Sequence, residues 1–425
     1  MPDPLSLSVR ALVTEIAAGR LTAESATAAA LDRIAAREAE IGAWEHLDRE
    51  TALANARKAP AGPLHGVPIG VKDLMDTADM PSGYGSPIYA GNRPPSDAAA
   101  VAIARAAGAV VVGKTVTTEF ATFTPGKTAN PHNTAHTPGG SSSGSAAAVA
   151  AGMVPLAFAS QTAGSIVRPA AYCGVIGYKP SFGLVPRAGV KGLADNLDTI
   201  GTMAATVEDA AYFIGVLAGR PALRDASPPG SPPRVGVCLT AMWPKADAVV
   251  GEALTRARDA LARAGARVDE VAVPDAHQGL TAAQDKVMWR ESACGLAYEH
   301  LHRRSELSPR LRELLDVGAA VEPADYDSAL AEAAAARAGL GAFFGECDAM
   351  LVPAAPGFAP KGLGFTGDPV FNRMWTLLGT PCVTMPALWG ADGLPCGIQL
   401  VGRIGDDARL MSCAMFLERA LAGGR

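Results

Sequence analysis

The residue types best suited to chemistry are concentrated in residues 136–180, where the sequence HTPGGSSSGSAAAVAAG combines serines and glycines. The Ser/Gly run passes directly into an Ala-rich segment that predicts a helix. Backbone N–H groups at the start of a helix stabilise anions and developing negative charge. A serine here is a candidate nucleophile, although its hydroxyl is weak at neutral pH and needs a base within hydrogen-bond reach.

Two other interpretations of this stretch require features that the sequence lacks. A flexible linker has such a composition, but a linker would not run straight into a predicted helix. A phosphate-binding loop needs a G-K-[ST] ending, and no lysine follows within the first turn of the helix. Both interpretations are therefore disfavoured.

A third interpretation is a nucleophile elbow, because Gly140, Ser142 and Gly144 satisfy the pattern G-x-S-x-G. Ser142 would then act in a Ser-His-Asp esterase. The partner would be His277, His300 or His302. An elbow requires a strand directly before the serine, whereas the preceding TANPHNTAHTP is turn-forming. The esterase stays an alternative.

A candidate base lies upstream, in the segment GVPIGVKDLMDT. Val67, Ile69 and Val71 alternate with other residues and predict a short buried strand that ends at Lys72. Burial disfavours the charged ammonium and lowers the pKa of a lysine. From the residues alone, a solvated strand end or a salt bridge with Asp73 remains the simpler reading of Lys72.

The elements that must position these residues predict an α/β fold. An Ala-rich helix followed by a β-branched strand occurs at residues 97–114, and the same order recurs at residues 251–274 and 331–356. This alternation is typical of a largely parallel sheet with helices packed against it. We therefore expect a central mixed β-sheet flanked by helices on both faces.

The chain is expected to form one domain, residues 1–425. The Pro- and Ser-rich residues 220–234 are read as a surface crossing within that domain, because the strands predicted on either side look equally buried. Its parts are a helical N-terminal layer (1–60), a catalytic core (61–225), a variable region (226–345), and C-terminal core strands with a helix (346–425).

Composition limits the partners that the sequence predicts. The chain has 425 residues, a net charge of only -5 and no long basic run, so neither nucleic acid nor a membrane surface is expected. Seven scattered cysteines without a C-x-x-C pair predict no zinc site and no disulfide framework; no metal or cofactor is expected.

The N-terminus lacks the pattern of a signal peptide and no apolar run is long enough to span a membrane, which favours the cytoplasm.

Beyond these properties, residues 139–180 resemble the signature of the amidase signature family. The resemblance rests on GGSSSGSAAAVAAG and QTAGSIVRPAAYCGVIGYKP, and extends to GVPIGVKDLMDT, TANPHNTAHTPGG and GLPCGIQLVG. Within the family, the SSSGS variant and residues 366–383 are similar to the bacterial malonamidases. The resemblance spans most of the chain and leaves residues 227–345 as variable territory, of which residues 278–302 are expected to line the pocket.

The resemblance implies a catalytic triad of Lys72, Ser141 and Ser165. Ser165 would be the nucleophile and Ser141, 24 positions earlier, would bridge it to the uncharged Lys72. The peptide bond from Gly140 to Ser141 is expected to be cis, and Ser142 is expected to support the network. The oxyanion hole is expected on the backbone N–H groups of Thr162, Ala163, Gly164 and Ser165.

Three residues near the nucleophile bear on substrate choice. Ala163 replaces the family's first turn glycine, and costs about 1 to 2 kcal/mol if that position needs a positive φ. Arg168 matches an arginine that binds a substrate carboxylate in malonamidase, although an arginine that only ties the loop to nearby backbone is an equal alternative. Gln161 replaces the more common aspartate, and is assigned with Arg168 to substrate binding.

The function implied is that of an amidase, a hydrolase acting on C–N bonds of linear amides through an acyl-enzyme. Expected substrates are small acyl amides, malonamate-like or aryl, with ureas or carbamates (urethanes) next. A homodimer is a family-level expectation. The alternative is the A-type subunit of a tRNA-dependent amidotransferase, in which this fold releases ammonia for a partner protein.

Overall fold

Short runs of apolar residues build the strands of a central β-sheet. The protein is described by a computed structural model that covers residues 3–423, so the expected N-terminal and C-terminal parts each extend two residues outside the described chain. The strands are β1 (Trp44–Leu47), β2 (Pro68–Lys72), β3 (Val110–Thr115), β4 (Leu156–Gln161), β5 (Ile176–Lys179), β6 (Thr199–Ala204), β7 (Arg234–Val237), β8 (Arg267–Glu270), β9 (Ala349–Pro353), β10 (Cys382–Trp389) and β11 (Pro395–Val401).

Over the described residues these strands join into one 11-stranded sheet, in the order β1-β3-β2-β4-β6-β5-β10-β11-β9-β7-β8. Strand β2 runs parallel to β3 and β4, and β7 runs parallel to β8 and β9. The pairs β4–β6, β5–β6 and β10–β11 are antiparallel. The sheet is therefore mixed, as predicted, and β7 and β8 of the variable region belong to it.

Helices cover the sheet on both faces. They are α1 (Val9–Ala17), α2 (Ala23–Ile41), α3 (Arg49–Arg57), α4 (Ala99–Ala106), α5 (Ser143–Ala150), α6 (Val167–Cys173), α7 (Val207–Leu217), α8 (Pro221–Arg224), α9 (Ala248–Arg263), α10 (Asp275–Gln278), α11 (Leu280–Gly295), α12 (Ala297–His302), α13 (Pro309–Ala319), α14 (Pro323–Ala338), α15 (Leu340–Phe344), α16 (Arg373–Leu378) and α17 (Asp407–Ala422).

Strand β4 shows how the two faces are filled. Phe158 packs in the cluster that contains α4, α7, α9 and α17, and its ring lies 5.0 Å from that of Phe213. Ala157 and Ala159 point the other way, into the cluster that contains α5 and α6. Successive side chains of a strand alternate between faces, so the single-domain α/β arrangement with helices on both sides is confirmed.

The residues expected to form the N-terminal layer contain helices and one strand. Thr22 and Ser25 close a reciprocal capping box at the start of α2. The layer is not wholly helical, however, because β1 pairs antiparallel with β3 at the edge of the sheet. A four-residue strand in which only Trp44 is buried is too short to give a period-2 signal between helical segments.

Three neighbouring parallel strands prepare the site. Strands β2, β3 and β4 end at Lys72, Thr115 and Gln161, and the carboxyl ends of parallel strands meet at one edge of a sheet. Helix α5 begins beside this edge and α6 follows β4 after a short loop. Within residues 3–423, no helix is both long and apolar enough to cross a membrane.

Candidate active site

Lys72 lies fully buried at the end of β2, between two serine hydroxyls. Its Nζ is 2.7 Å from Ser141 Oγ and 2.8 Å from Ser160 Oγ. Burial lowers the pKa of this lysine to about 7, opposed only in part by the negative charge of Asp198. Lys72 is thus available as a neutral amine near physiological pH.

The simpler reading of Lys72, a salt bridge with Asp73, is wrong. Asp73 instead pairs with the buried Lys114, at 3.0 Å, on the neighbouring strand β3. Lys72 Nζ contacts the hydroxyls of Ser141 and Ser160 instead. Asp73 follows the strand and has a separate partner, so it does not hold Lys72 in its charged form.

Ser141 reaches Lys72 from the segment that leads into α5. The Gly140–Ser141 peptide bond is cis, in agreement with the expectation. Close packing fixes the start of the helix, because a Cβ on Gly144 would lie 2.2 Å from the carbonyl oxygen of Ala43 and 2.4 Å from the Val116 nitrogen. Only glycine allows α5 to approach the neighbouring backbone this closely.

Ser142 ties the start of α5 to β4. Its Oγ lies 3.2 Å from the carbonyl oxygen of Ser160 and accepts a hydrogen bond from the Ser160 N–H at 3.3 Å. Its own N–H donates to the Ser165 carbonyl oxygen at 3.4 Å. Ser142 therefore bridges the segments that carry Ser141 and Ser165.

The geometry does not provide a nucleophile elbow. No strand precedes Ser142 directly in residues 3–141 of the described chain, where the preceding segment is made of turns. No hydrogen bond joins its hydroxyl to any histidine of residues 3–423: His300 contacts Asp316, and His277 packs against Phe343. The Ser142 esterase thus lacks both its required turn and its base.

The loop from β4 to α6 carries Ser165 and the other residues expected to form the oxyanion hole. Within the described chain, the N–H groups of Thr162, Ala163, Gly164 and Ser165 donate to no protein acceptor. A Cβ on Gly164 would lie 2.3 Å from Asn372 Oδ1, whereas Ala163 has no positive φ. Position 163 does not need a positive φ, so the conditional cost of alanine there does not arise, and the position that requires glycine is 164.

Gln161 supports this loop from behind. Its Oε1 accepts hydrogen bonds from the N–H groups of Ile166 and Val167, at 2.9 and 3.1 Å, and its Nε2 donates to Thr376 Oγ1 at 2.9 Å. These contacts favour a positioning role over the predicted contact with substrate. They hold the first turn of α6 against α16.

Ser165 and Arg168 face one small cavity of about 30 Å³. Its wall also includes Thr122, Thr162 and several apolar side chains. Met288 and Ser292 of α11 line it as well, in agreement with the expectation for residues 278–302. Over residues 3–423, the Ser165 hydroxyl makes no hydrogen bond to another side chain. A volume of this size holds about two water molecules.

Arg168 is buried, and its guanidinium is only partly engaged. Nη2 donates to the Gly140 carbonyl oxygen at 2.7 Å and to Thr366 Oγ1 at 3.3 Å. Nε and Nη1 are buried and have no hydrogen-bond partner in residues 3–423. Burial also lowers the pKa of Arg168 to about 10. Nη2 thus ties the loop, whereas the N–H groups of Nε and Nη1 are available to an anion.

Several polar contacts of this site carried no sequence signal. Ser160 lies between residues that the resemblance marks, but nothing in its surroundings distinguishes it from a strand serine. Asp198 accepts a hydrogen bond from Thr162 Oγ1 at 2.6 Å, across 36 positions of sequence. In the described chain, no group of histidine, cysteine and carboxylate side chains could hold a metal ion.

A family model described as Amidase matches residues 25–411. The chain belongs to the amidase family, enzymes that act on C–N bonds. A crystal structure described as that of an amidase is 30% identical and superimposes with a TM-score of 0.88, covering 97% of this chain and 99% of the other. The finer resemblance to malonamidases remains a prediction.

Among curated relatives, the A subunit of glutamyl-tRNA(Gln) amidotransferase from Chloroflexus aggregans is 36% identical over 461 residues, which cover 95% of this chain and 94% of the relative. The crystal structure of the protein of the same description from Thermotoga maritima is 27% identical, with a TM-score of 0.82, and covers 99% of this chain and 96% of the other.

These relatives contradict two sequence-based expectations. The sequence predicts a free hydrolase of small acyl amides that works without nucleic acid. The relatives are instead described as one subunit of an amidotransferase that is named for a tRNA. Both errors have physical causes. The expected triad would be the same for any amide, so it does not identify the substrate. The net charge of one chain does not report whether its protein partners bind RNA.

Proposed function

We propose that this chain is the A-type subunit of a tRNA-dependent amidotransferase. In this role it releases ammonia from an amide donor, and a partner protein uses that ammonia on a glutamyl group carried by tRNA. The observation that carries the proposal is the end-to-end similarity to the Chloroflexus aggregans protein, over 95% of this chain and 94% of that protein. The expected cytoplasmic location fits such a role.

The proposed chemistry starts from neutral Lys72. Ser165 Oγ attacks the amide carbon, its proton passes to Ser141, and the Ser141 proton passes to Lys72, which lies 2.7 Å away. With a pKa of about 7, roughly half of Lys72 is neutral at neutral pH. Return of the proton through Ser141 to the leaving nitrogen breaks the C–N bond and frees ammonia. Water then opens the acyl-enzyme to a carboxylic acid.

Negative charge that develops on the carbonyl oxygen needs donors that are already in place. The N–H groups of Thr162, Ala163, Gly164 and Ser165, which have no acceptor within the described chain, supply them in a buried loop. Pre-oriented donors of this kind contribute several kcal/mol at the tetrahedral intermediate. The loop thus complements the proton relay.

Arg168 is proposed to select the donor. Its Nε and Nη1, unpaired within residues 3–423, are buried beside the cavity that contains Ser165. A buried guanidinium with unpaired N–H groups suits a carboxylate, to which it donates charge-assisted hydrogen bonds. An amide donor with a carboxylate, such as glutamine, therefore fits this site better than a neutral amide.

The test combines purification with an ammonia assay. The tagged chain is isolated from its own cells, and ammonia release from glutamine is measured for the chain alone, with its co-purified partners, and with added glutamyl-tRNA. The proposal predicts co-purification of a tRNA-binding partner and release that rises when partner and glutamyl-tRNA are present. Full turnover of simple amides by the isolated chain, unaffected by partner or tRNA, would overturn it.

A further inference from the structure

Three consecutive carbonyl groups of the loop from β4 to α6 each accept a hydrogen bond. Thr162 O accepts from Gln284 Nε2 at 3.0 Å. Ala163 O accepts from the hydroxyl of Thr376 at 2.7 Å. The same hydroxyl lies 3.0 Å from the Asn372 carbonyl oxygen, so Ala163 O is its nearer acceptor. Gly164 O accepts from the N–H of Arg168 at 2.9 Å. Every carbonyl in this run is therefore held from the protein side.

Holding these carbonyls also sets the direction of the oxyanion-hole donors. In a planar trans peptide the C=O of one residue and the N–H of the next point in opposite directions. The contact of Gln284 with Thr162 O thus turns the Ala163 N–H away from α11. The contact of Thr376 with Ala163 O likewise turns the Gly164 N–H away from α16. Both are among the N–H groups that have no protein acceptor over residues 3–423.

Gln284 comes from the variable region and is itself locked in place. Its side chain is fully buried in α11. Arg373 of α16 donates from Nη1 to Gln284 Oε1 at 2.9 Å and also pairs with Asp285. Because the guanidinium can only donate, it fixes the oxygen of the amide toward Arg373 and leaves the Nε2 hydrogens for Thr162 O.

We propose that Gln284, oriented by Arg373, and Thr376 are positioning residues that aim the oxyanion hole. They do not touch the substrate; they act through the peptide planes of Thr162 and Ala163. The inference rests on the proposed role of Ser165 as nucleophile. It also assigns a catalytic consequence to a helix outside the region that carries the family signature.

Donors that point away stabilise the oxyanion less but leave binding of the ground-state amide unchanged. The proposal therefore has a specific readout. Loss of one oxyanion donor lowers kcat by about 100- to 1000-fold in known cases. A donor that stays present but points away should cost less, on the order of 10- to 100-fold. The loss should appear in kcat, with KM little changed.

The experiment compares Gln284→Met with the wild-type protein, in complex with its partners. Met keeps the volume of the side chain and removes the donor. Ammonia release gives kcat and KM, and an aldehyde analogue of the amide donor gives the affinity for a tetrahedral oxyanion formed on Ser165. We expect kcat and aldehyde affinity to fall together by about 10- to 100-fold. Unchanged aldehyde affinity, or a rise in KM alone, would overturn the proposal.

A matched control and a second site keep the test decisive. Gln399→Met removes another fully buried glutamine that donates to backbone carbonyls, those of Pro353 and Phe371, outside the loop. It should destabilise the fold similarly and leave aldehyde affinity unchanged. If Gln284→Met fails to fold, Thr376→Val should show the same paired loss and Thr376→Ser should restore both quantities. A Thr376→Val protein with wild-type aldehyde affinity would contradict the proposal.

The wild-type arm separates this inference from the proposed function. If the aldehyde does not bind the wild-type protein, the nucleophilic role of Ser165 fails, and with it the proposed chemistry. If the aldehyde binds the wild-type protein and the Gln284→Met protein equally, the chemistry stands and only the positioning role fails.

Discussion

Replacement of Lys72 by methionine should abolish turnover and, at the same time, stabilise the fold. Burial lowers the pKa of this lysine from 10.5 to about 7. At about 1.4 kcal/mol per pH unit, this lowering costs the folded state roughly 5 kcal/mol up to about pH 7, and progressively less between pH 7 and 10.5. Methionine has a similar length and carries no charge to desolvate.

Part of this gain is lost again in the variant. The hydroxyls of Ser141 and Ser160 lose a hydrogen-bond partner in a buried site, and each loss costs about 1 to 2 kcal/mol. The net stabilisation expected at pH 7 is therefore roughly 1 to 3 kcal/mol. Most core substitutions destabilise, so even the sign of the effect is informative.

The effect should also depend on pH. Between pH 7 and 10.5 the unfolded chain keeps its Lys72 proton while the folded chain has lost it, so the unfolded state binds more protons. Wild-type stability therefore rises with pH through this window, and the advantage of Lys72→Met shrinks. The buried Lys114 and Lys179, whose pKa values are also lowered by burial, are present in both proteins and cancel in the difference.

Urea denaturation of both proteins at pH 7, 8 and 9, followed by tryptophan fluorescence, measures this difference. Lys127→Met is the matched control, because Lys127 is an exposed lysine whose loss should change neither activity nor the slope with pH. A difference between the wild-type and Lys72→Met proteins that stays constant from pH 7 to 9 would refute the argument that Lys72 is neutral in the fold. Activity in Lys72→Met would refute its role as base.

Three further predictions concern single side chains of the site. Ser160→Ala removes an acceptor that favours charged Lys72, so the acid limb of the pH profile for kcat/KM should move to lower pH, and Ser160→Thr should restore it; an unchanged limb would contradict this role. A fluorophosphonate probe should label Ser165, as shown by peptide mapping, whereas labelling of Ser142 would contradict the assignment. Arg168→Met should raise KM at least about 10-fold for donors that carry a carboxylate, because one charge-assisted hydrogen bond is lost. An equal rise for neutral amides would contradict the proposal that Arg168 binds a carboxylate.

Local sequence patterns predicted the parts of the fold in which secondary structure depends on residues close in sequence. Alternating apolar residues located β2 and placed Lys72 at its end, and repeated helix-strand pairs predicted the mixed sheet. Strand β1 was missed because four residues between two helices give too weak a periodicity. The proposed triad came from the family resemblance, since isolated serines and one lysine have no distinctive spacing.

Contacts between distant segments were beyond sequence reasoning. Thr162 and Gln284 are 122 positions apart, and Ala163 and Thr376 are 213 apart; nothing local to any of them marks the pairing. The sequence also left open whether position 163 needs a positive φ; the close approach that requires glycine is made by Asn372, distant in sequence, onto Gly164. The prediction that no nucleic acid is involved was wrong for a similar reason, since composition describes one chain and not an assembly.

The carbonyl contacts of the loop also bear on biosynthesis. Ser165 and Lys72 lie within the first half of the chain, yet the loop beside Ser165 is held by Gln284 and then by Thr376, which lies about nine-tenths of the way along the 425 residues. A nascent chain released before Thr376 would contain the whole triad and still lack the contact that orients Gly164. Truncated translation products of this protein are therefore expected to release ammonia at least about 10- to 100-fold more slowly than the full chain, which would limit uncontrolled release from incomplete chains.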